Sequence, residues 1–134
     1  MADQIQLEVI TPERRVLAET VNAVAVPGLD GELGILPGHT PLISQLRTGA
    51  LSYTQGGETR RIHVSGGFVE VQADRVTVLA DLAEQPAEID TARARTEREQ
   101  AEKALNSFTG SEEELDAVLN RLEQANVRLQ LGAG

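Results

Sequence analysis

The sequence contains no cysteine and no tryptophan, and its aromatic residues are Tyr53, Phe68 and Phe108. Without thiols the chain can form neither a disulfide nor a catalytic thiolate, which agrees with a reducing compartment. Three rings provide no stacking platform for nucleic-acid bases. Positive charge is scarce as well, since 12 basic residues stand against 21 acidic ones and the net charge is -9. We therefore expect no nucleic-acid partner and no direct insertion into lipid.

Long apolar segments are also missing from the sequence. No run of about 18 apolar residues occurs, which excludes an ordinary transmembrane helix. The first residues, MADQIQLEV, lack the basic segment and the apolar run of a signal peptide. We expect a soluble chain that starts near Met1 and forms one modest domain, or a compact domain with an appendage.

Apolar and polar residues alternate in short runs from Ile5 to Asp81, which is typical of half-buried strands. Gly56-Gly57 and Ala73-Asp74 separate paired runs and predict hairpin turns. Strands are predicted at residues 5–9, 15–18, 21–26, 42–46, 50–55, 60–65, 68–72 and 75–80. Many short strands at even spacing predict an antiparallel β-sandwich, or flattened barrel, over residues 1–85.

One segment in this part, GELGILPGHTPL at Gly31–Leu42, is dense in glycine and proline and predicts a rigid loop. Pro37-Gly38 suits the central positions of a type II turn. The loop carries two particular polar residues, Glu32 and His39, which it would present to a partner at one end of the sandwich. The alternative is a purely structural corner of the fold.

After Pro86 the period of the apolar residues changes from strand-like to helical. Asp90 can cap a helix that ends near Ser107, and Ser111 with Glu114 forms the capping box of a second helix. The second helix carries an apolar stripe at helical spacing: Leu115, Val118, Leu119, Leu122, Ala125 and Leu129. We expect an antiparallel two-helix hairpin over residues 87–134, so that the fold class is α+β.

No catalytic constellation stands out in the sequence. His39 and His63 are the only histidines, and there is no HExxH, no CxxC and no phosphate-binding glycine loop. We predict no catalytic residue and no metal site, and we expect His63 to be structural or solvent-facing. An interaction module fits best. Two alternatives are a small-ligand-binding β-sandwich with an apolar pocket, and a hydrolase with His39 as its base.

Four motifs, in chain order, point to one family: GELGILPGHTPL, SGGFVEV (65–71), VTVLAD (76–81) and EIDTARA (88–94). With them the chain resembles the epsilon subunit of bacterial and plastid F-type ATP synthase, which is similar to the mitochondrial delta subunit. The resemblance implies a non-catalytic rotor part at the foot of the central stalk, which couples proton-driven rotation to ATP synthesis. Its partners would be the gamma subunit and the polar loops of the c-ring, with Glu32 and His39 as c-ring contacts. It would lie on the cytoplasmic side of a bacterial plasma membrane, or on the stromal face of the thylakoid.

The same resemblance gives the helical hairpin a regulatory role. Docked on the sandwich it would permit rotation. Extended up the stalk between gamma and the catalytic subunits, in contact with alpha and beta, it would block ATP hydrolysis. A permanently docked hairpin is the alternative. We expect the docked interface to consist of small contacts and the apolar stripe. A nucleotide-binding motif of the family matches Ile89, Asp90, Arg93, Ala94 and Arg128. Because Gln100 and Gln124 stand where ATP-binding members carry arginine, we expect weak regulatory ATP binding and no other cofactor.

Overall fold

The computed structural model describes residues 4–132. The predicted chain start and the last two residues of the predicted hairpin fall at 1–3 and 133–134, outside the described residues. Ten strands come first along this range, and two helices follow. The strands are β1 (Ile5–Ile10), β2 (Arg15–Val21), β3 (Ala23–Gly28), β4 (Gly31–Ile35), β5 (Leu42–Gln45), β6 (Gly49–Gln55), β7 (Glu58–Ser65), β8 (Phe68–Val71), β9 (Arg75–Leu79) and β10 (Leu82–Glu84). A 3-10 turn (Pro86–Glu88) leads to the helices α1 (Thr91–Asn106) and α2 (Glu112–Gly132).

The strands form two five-stranded sheets that pack face to face, as the sequence predicts. Sheet 1 has the order β2-β1-β9-β8-β5, and sheet 2 has the order β10-β7-β6-β3-β4. The pair β1 and β9 is parallel. The other pairs among the described strands are antiparallel.

The core between the sheets consists almost entirely of aliphatic side chains. Period-two alternation sends Leu7 and Val9 of β1, and Val76 and Val78 of β9, into the core, where each is at most 2% exposed. Tyr53 is an aromatic member of this cluster. The scarcity of rings in the sequence is thus matched by a core of valine, leucine and isoleucine.

The expectation of one continuous loop over residues 31–42 is wrong for its first half. Gly31–Ile35 forms β4, an edge strand that pairs with β3, because Ile35 is buried in the core and the glycines tolerate an extended backbone. The predicted type II turn is confirmed. Gly38 has a φ of +85°, and the His39 amide donates to the Leu36 carbonyl over 3.1 Å.

Two short elements that the sequence analysis missed lead from the sandwich to the helices. The strand β10 adds to the edge of β7, with Glu84 opposite His63. In the following 3-10 turn, Glu88 accepts two hydrogen bonds from Arg14, at 2.7 and 3.0 Å, which ties the connection to the β1–β2 turn. Three residues are too few to give a periodic signal, so these elements follow from tertiary pairing alone.

The two helices form the predicted antiparallel hairpin. The Asp90 carboxylate caps α1 by accepting from the Arg93 amide over 3.0 Å, and the Ser111–Glu114 capping box opens α2. Gly132 at the end of α2 lies against Thr91 at the start of α1, so closely that a Cβ on the glycine would be 2.7 Å from the threonine methyl. Alanines line the seam on the α1 side, where they allow this close approach.

Candidate functional site

The helical hairpin lies on the outer face of sheet 2 and is held there by a polar row on α2, formed by Asn120, Gln124 and Arg128. The spacing of four residues puts all three on one side of the helix. Asn120 accepts from the Thr48 hydroxyl over 2.7 Å, and Gln124 donates to the Ser65 hydroxyl over 3.0 Å. Thr48 and Ser65 also bond to each other over 2.7 Å. The docked interface therefore contains a line of polar contacts, which the sequence analysis did not predict.

Arg128, the third member of the polar row, ends on a buried network of charged groups. Its Nε lies 2.5 Å from Oε1 of Glu84 in β10, and the same oxygen lies 2.8 Å from Nδ1 of His63 in β7. The Arg128 Nη1 is 3.7 Å from Glu97 in α1. His63 is fully buried, and its Nε2 has no hydrogen-bond partner. One carboxylate thus joins the sandwich to the hairpin.

The environment of this network sets the charge of its members. Burial lowers the pKa of His63, and the hydrogen bond to Glu84 offsets only part of that effect. Burial raises the pKa of Glu84, but the hydrogen bonds from Arg128 and His63 outweigh it and hold the pKa below its usual range. At neutral pH the arrangement is a neutral imidazole, a carboxylate and a guanidinium. The Nδ1 proton of His63 then points at Glu84.

The residues of the predicted nucleotide motif gather around the ends of the two helices that meet. Ile89 and Asp90 precede α1, with the Asp90 carboxylate used as its cap, and Ala94 is 1% exposed in the helix seam. Arg93 projects into solvent and lies 3.5 Å from Glu97. Arg128 lies 3.7 Å from the same Glu97, so the structure does bring the two arginines together.

Both of these arginines are already paired with carboxylates of the chain. Glu97 lies between them, and Glu84 holds Arg128 from the other side. A triphosphate would have to displace these carboxylates or bear their repulsion. Gln124 is turned toward Ser65, and Gln100 is exposed on α1. The arrangement therefore offers a nucleotide little uncompensated positive charge.

Glu32 and His39 occupy opposite ends of β4, so the expectation that they share one end of the sandwich is wrong. Glu32 is exposed beside the β3–β4 turn, where the Leu29 amide donates to Gln45 over 3.0 Å. His39 is half-buried beyond the other end of the strand, beside the β8–β9 turn, where the Gly38 amide donates to the Ala73 carbonyl. Its Nδ1 lies 2.7 Å from the Thr40 carbonyl oxygen. The two side chains present separate surfaces.

The outer face of sheet 1 carries an apolar row that the sequence analysis did not single out. Leu79 lies opposite Phe68 on one side and opposite Ile10 on the other, so the row crosses β8, β9 and β1. Leu79 is 51% exposed and Phe68 is 49% exposed. The signal was visible in the sequence, because both residues stand at positions where the alternation calls for a polar side chain.

Neither alternative function receives a suitable site among the described residues. Two surface depressions have volumes of about 340 Å³; one is lined by small and apolar residues such as Ala25 and Gly34 with no charged group, and the other by polar residues such as Glu8 and Arg75. The apolar depression has only the Ser52 and Thr54 hydroxyls as polar side chains, and the polar depression has little apolar wall. Within residues 4–132 no three His, Cys, Asp or Glu side chains are grouped to hold a metal ion.

The buried network was missed because its parts are far apart in the sequence. His63 gave no signal beyond a lone histidine in a strand, and Glu84 belongs to the short strand that was not predicted. The polar row had a readable sign, since Asn120, Gln124 and Arg128 repeat every four residues beside the apolar stripe. Such a repeat on a helix already partnered by another helix indicates a second contact face.

Comparison with known proteins gives one consistent family. The family model described as ATP synthase, Delta/Epsilon chain, beta-sandwich domain matches residues 4–86. An ATP synthase epsilon chain of Syntrophobacter fumaroxidans is 43% identical over 131 residues, which cover 93% of this chain and 98% of the relative. The ATP synthase epsilon chain of Carboxydothermus hydrogenoformans is 52% identical over 105 residues, covering 78% of each chain.

Solved structures agree with the sequence comparisons. A chain in the cryo-EM structure of the Euglena gracilis mitochondrial ATP synthase, which contains OSCP, F1 and the c-ring, superposes with a TM-score of 0.82 at 27% identity. The match covers 98% of this chain and 82% of that one. A chain of the Tetrahymena thermophila central stalk and c-ring has the same fold, with a TM-score of 0.65 at 15% identity.

Proposed function

This chain belongs to the delta/epsilon chain family of ATP synthase, and from that premise we propose that it couples c-ring rotation to ATP synthesis as a rotor part of the central stalk. The observation that carries the proposal is a structural match that includes both the sandwich and the helices. It covers 98% of this chain, at a TM-score of 0.82, and the matched chain belongs to an assembly of OSCP, F1 and the c-ring. Because both the sandwich and the helical hairpin of this chain resemble that subunit, the chain is suited to the same position in the assembly.

The proposed role is non-catalytic. His63 and Glu84 lie under the docked hairpin, where one Glu84 oxygen contacts both His63 Nδ1 and Arg128. His39 directs Nδ1 to a backbone carbonyl of the next residue. Neither histidine is arranged with a nucleophile, which supports a role in binding rather than in reaction.

The apolar row on sheet 1 is the surface that we assign to the gamma subunit. The hairpin contacts sheet 2 mainly through β6 and β7, whereas Phe68 and Leu79, with the partly buried Ile10 beside them, leave an apolar strip open on sheet 1. Burial of such side chains stabilises a complex by about 25 cal/mol per Å² of apolar surface removed from water. The net negative charge of the chain adds a requirement for a partner surface that is apolar or basic at this face.

We assign the c-ring contact first to the end of the sandwich that holds Glu32. There Leu29 is 53% exposed and Asp30 and Glu32 supply negative charge, so the end can offer both apolar and charged contacts to polar loops. The assignment of His39 remains a prediction of its own, because this side chain belongs to the opposite end of β4. Substituting the two residues separately distinguishes the two ends.

The hairpin is the proposed inhibitor of ATP hydrolysis, through contact with the alpha and beta subunits when it extends from the sandwich. Polar contacts on the sandwich support reversibility, because water can replace each hydrogen bond at modest net cost. The second helix, residues 112–131, has five acidic and two basic side chains. With this net charge of -3, we assign the stabilisation of the extended form to apolar packing of the helices rather than to charge. Weak ATP binding at Arg93 and Arg128 would favour the docked form.

The proposed location is the cytoplasmic side of a bacterial plasma membrane, or the stromal face of the thylakoid, as a peripheral subunit. Among the described residues no helix has the length and apolarity needed to span a bilayer. Attachment to the membrane then depends on the c-ring and on gamma.

Co-purification with the gamma subunit tests the proposal. We expect the full chain to form a stable complex with gamma, and Leu79→Asp to reduce binding at least tenfold by placing a charge in the apolar row. The matched control is Leu119→Asp, since Leu119 is 42% exposed on α2, away from sheet 1. Absence of a complex with the unmodified chain would contradict the proposed function, and equal loss in both variants would contradict the assigned face.

A further inference from the structure

The contact between the sandwich and the hairpin contains a group that can change charge near neutral pH. We propose that His63, Glu84 and Arg128 form a pH-sensitive latch, which holds the hairpin on sheet 2 while His63 is neutral and releases it when His63 binds a second proton. The latch rests on the proposed function only in requiring a hairpin that can leave the sandwich.

The position of His63 explains why the docked hairpin prefers the neutral ring. On β7 the core-facing residues are Ile62 and Val64, so His63 points to the outer face of sheet 2 and is fully buried although it lies outside the core. The hairpin covers that face, with Gln124 of α2 bonded to the neighbouring Ser65. Removal of α2 would therefore return His63 to water.

A second proton on His63 has no acceptor in the docked state. Nδ1 is already committed to Glu84 over 2.8 Å, so the proton must go to Nε2, which is buried without a partner. A buried donor left without an acceptor costs about 1–3 kcal/mol, and more for a charged group. In the released state the same N–H would bond to water, so protonation stabilises release relative to docking.

The charged groups around the ring act in both directions. Glu84 from β10 favours the charged ring, and Arg128 from α2 opposes it and takes up the charge of the same carboxylate oxygen. Glu97 of α1 lies behind Arg128 at 3.7 Å. On the β6 side the residue opposite His63 is Ala50, which brings no charge. With His63 protonated, Glu84 would face two cations through one oxygen.

The sign of the pH effect follows from these environments. The pKa of His63 is lowered in the docked state, so docking is fully stabilised above the usual histidine pKa of about 6.5 and weakens as the pH falls below it. The ratio of released to docked hairpin rises at most tenfold per pH unit for one proton. Glu84 acts in the same direction, but in a lower window, because its docked pKa lies below the usual value for glutamate.

The absence of cysteine in the sequence makes the test direct, since two introduced cysteines can be labelled alone. Dyes at Thr59→Cys on β7 and Gln130→Cys on α2, both exposed positions, report the hairpin position by energy transfer in the full chain between pH 8 and pH 5. We expect energy transfer to fall as the pH drops below about 6.5, with unchanged circular dichroism. Constant energy transfer over this range would overturn the latch.

Two variants separate His63 from other titrating groups. His63→Gln keeps a side-chain N–H for Glu84 but cannot be protonated, so its energy transfer should be independent of pH from 8 to 5. His39→Gln, which removes the other histidine, should behave like the unmodified chain. A pH dependence that persists in His63→Gln would overturn the latch.

Proton NMR of the unmodified chain keeps the test valid if His63→Gln does not fold. The His63 ring should titrate together with the energy-transfer change, and a ring that titrates without hairpin movement would overturn the latch. The outcome is separable from the stalk function, because gamma binding through sheet 1 does not depend on the hairpin position.

Discussion

Arg93 and Arg128 are each held by carboxylates of the chain itself, and this decides what they can offer a nucleotide. Glu97 lies within 3.7 Å of both guanidinium groups, and Glu84 lies 2.5 Å from Arg128. The sequence identified both arginines but not their partners, because Glu84 comes from a strand too short to be recognised. The pairing of these arginines with carboxylates is a second physical reason for weak ATP binding, besides the glutamines that replace arginine at positions 100 and 124.

Titration of the isolated chain with ATP tests this pairing. We expect a dissociation constant well above micromolar, and therefore a binding free energy well short of the roughly 8 kcal/mol that micromolar affinity represents. Glu97→Gln should bind ATP roughly fivefold more tightly, because it frees Arg93 and removes one of the two carboxylates beside Arg128, a competing charge worth up to about 1 kcal/mol. The control is Glu102→Gln, which breaks the comparable Arg98–Glu102 pair on α1 and should leave affinity unchanged. Micromolar binding by the unmodified chain would refute the argument.

Gly67, in the turn between β7 and β8, is required by the backbone around it. Its φ is +93°, and a Cβ at this position would come within 1.9 Å of the Leu79 carbonyl oxygen. We expect Gly67→Ala to lower the free energy of unfolding by about 3 kcal/mol or more in urea denaturation. Gly34→Ala, where a Cβ meets nothing within 4 Å, should change it by less than about 0.5 kcal/mol. Equal effects of the two substitutions would show that close approach is not the cause.

The helix α2 has two contact faces, one toward α1 and one toward sheet 2, and the sequence analysis identified only the first. Apolar periodicity predicted the seam between α1 and α2, as well as the caps at Asp90 and Ser111. The face of α2 that meets sheet 2 uses hydrogen bonds, which leave no hydrophobic signature. In the same way the strands with clear alternation were predicted, whereas β4 was hidden by its glycines and β10 by its length.

The polar row should set the balance between docked and extended hairpin. Asn120→Ala with Gln124→Ala removes hydrogen bonds worth about 1 kcal/mol each, so the docked population should fall up to roughly 30-fold relative to the released one. We therefore expect stronger inhibition of ATP hydrolysis by reconstituted F1. Asn126→Ala, an exposed amide on the same helix, is the control.

Salt and truncation complete this test of the hairpin. Inhibition should persist at high salt, because exposed ion pairs contribute at most about 1 kcal/mol each. Removal of the chain after Pro86 should raise hydrolysis. Unchanged hydrolysis on truncation would mean that the hairpin does not inhibit, and weaker inhibition by the double alanine variant would contradict the role of the polar row.

The contact surfaces of the molecule lie on different faces and at different ends of the sandwich. The hairpin covers the β6 and β7 part of sheet 2, sheet 1 keeps the apolar row open, and Glu32 and His39 lie at opposite ends of β4. The motifs in the sequence were sufficient for the family and for the two-part fold, because these depend on local periodicity and on glycine and proline positions. The division of surfaces depends on strand order and register, which a single sequence does not contain.

ATP-driven proton pumping by membranes stripped of this chain and supplied again with the purified chain tests the central claim most directly. We expect the unmodified chain to restore pumping, and Glu32→Ala to restore it roughly two- to fivefold less well while still binding gamma, as suits the loss of a surface charge contact. His39→Ala, at the opposite end of β4, tests separately whether His39 contacts the c-ring. Full restoration of pumping by this variant would mean that only the Glu32 end makes the contact. Failure of the unmodified chain to restore pumping would contradict a rotor function for this protein.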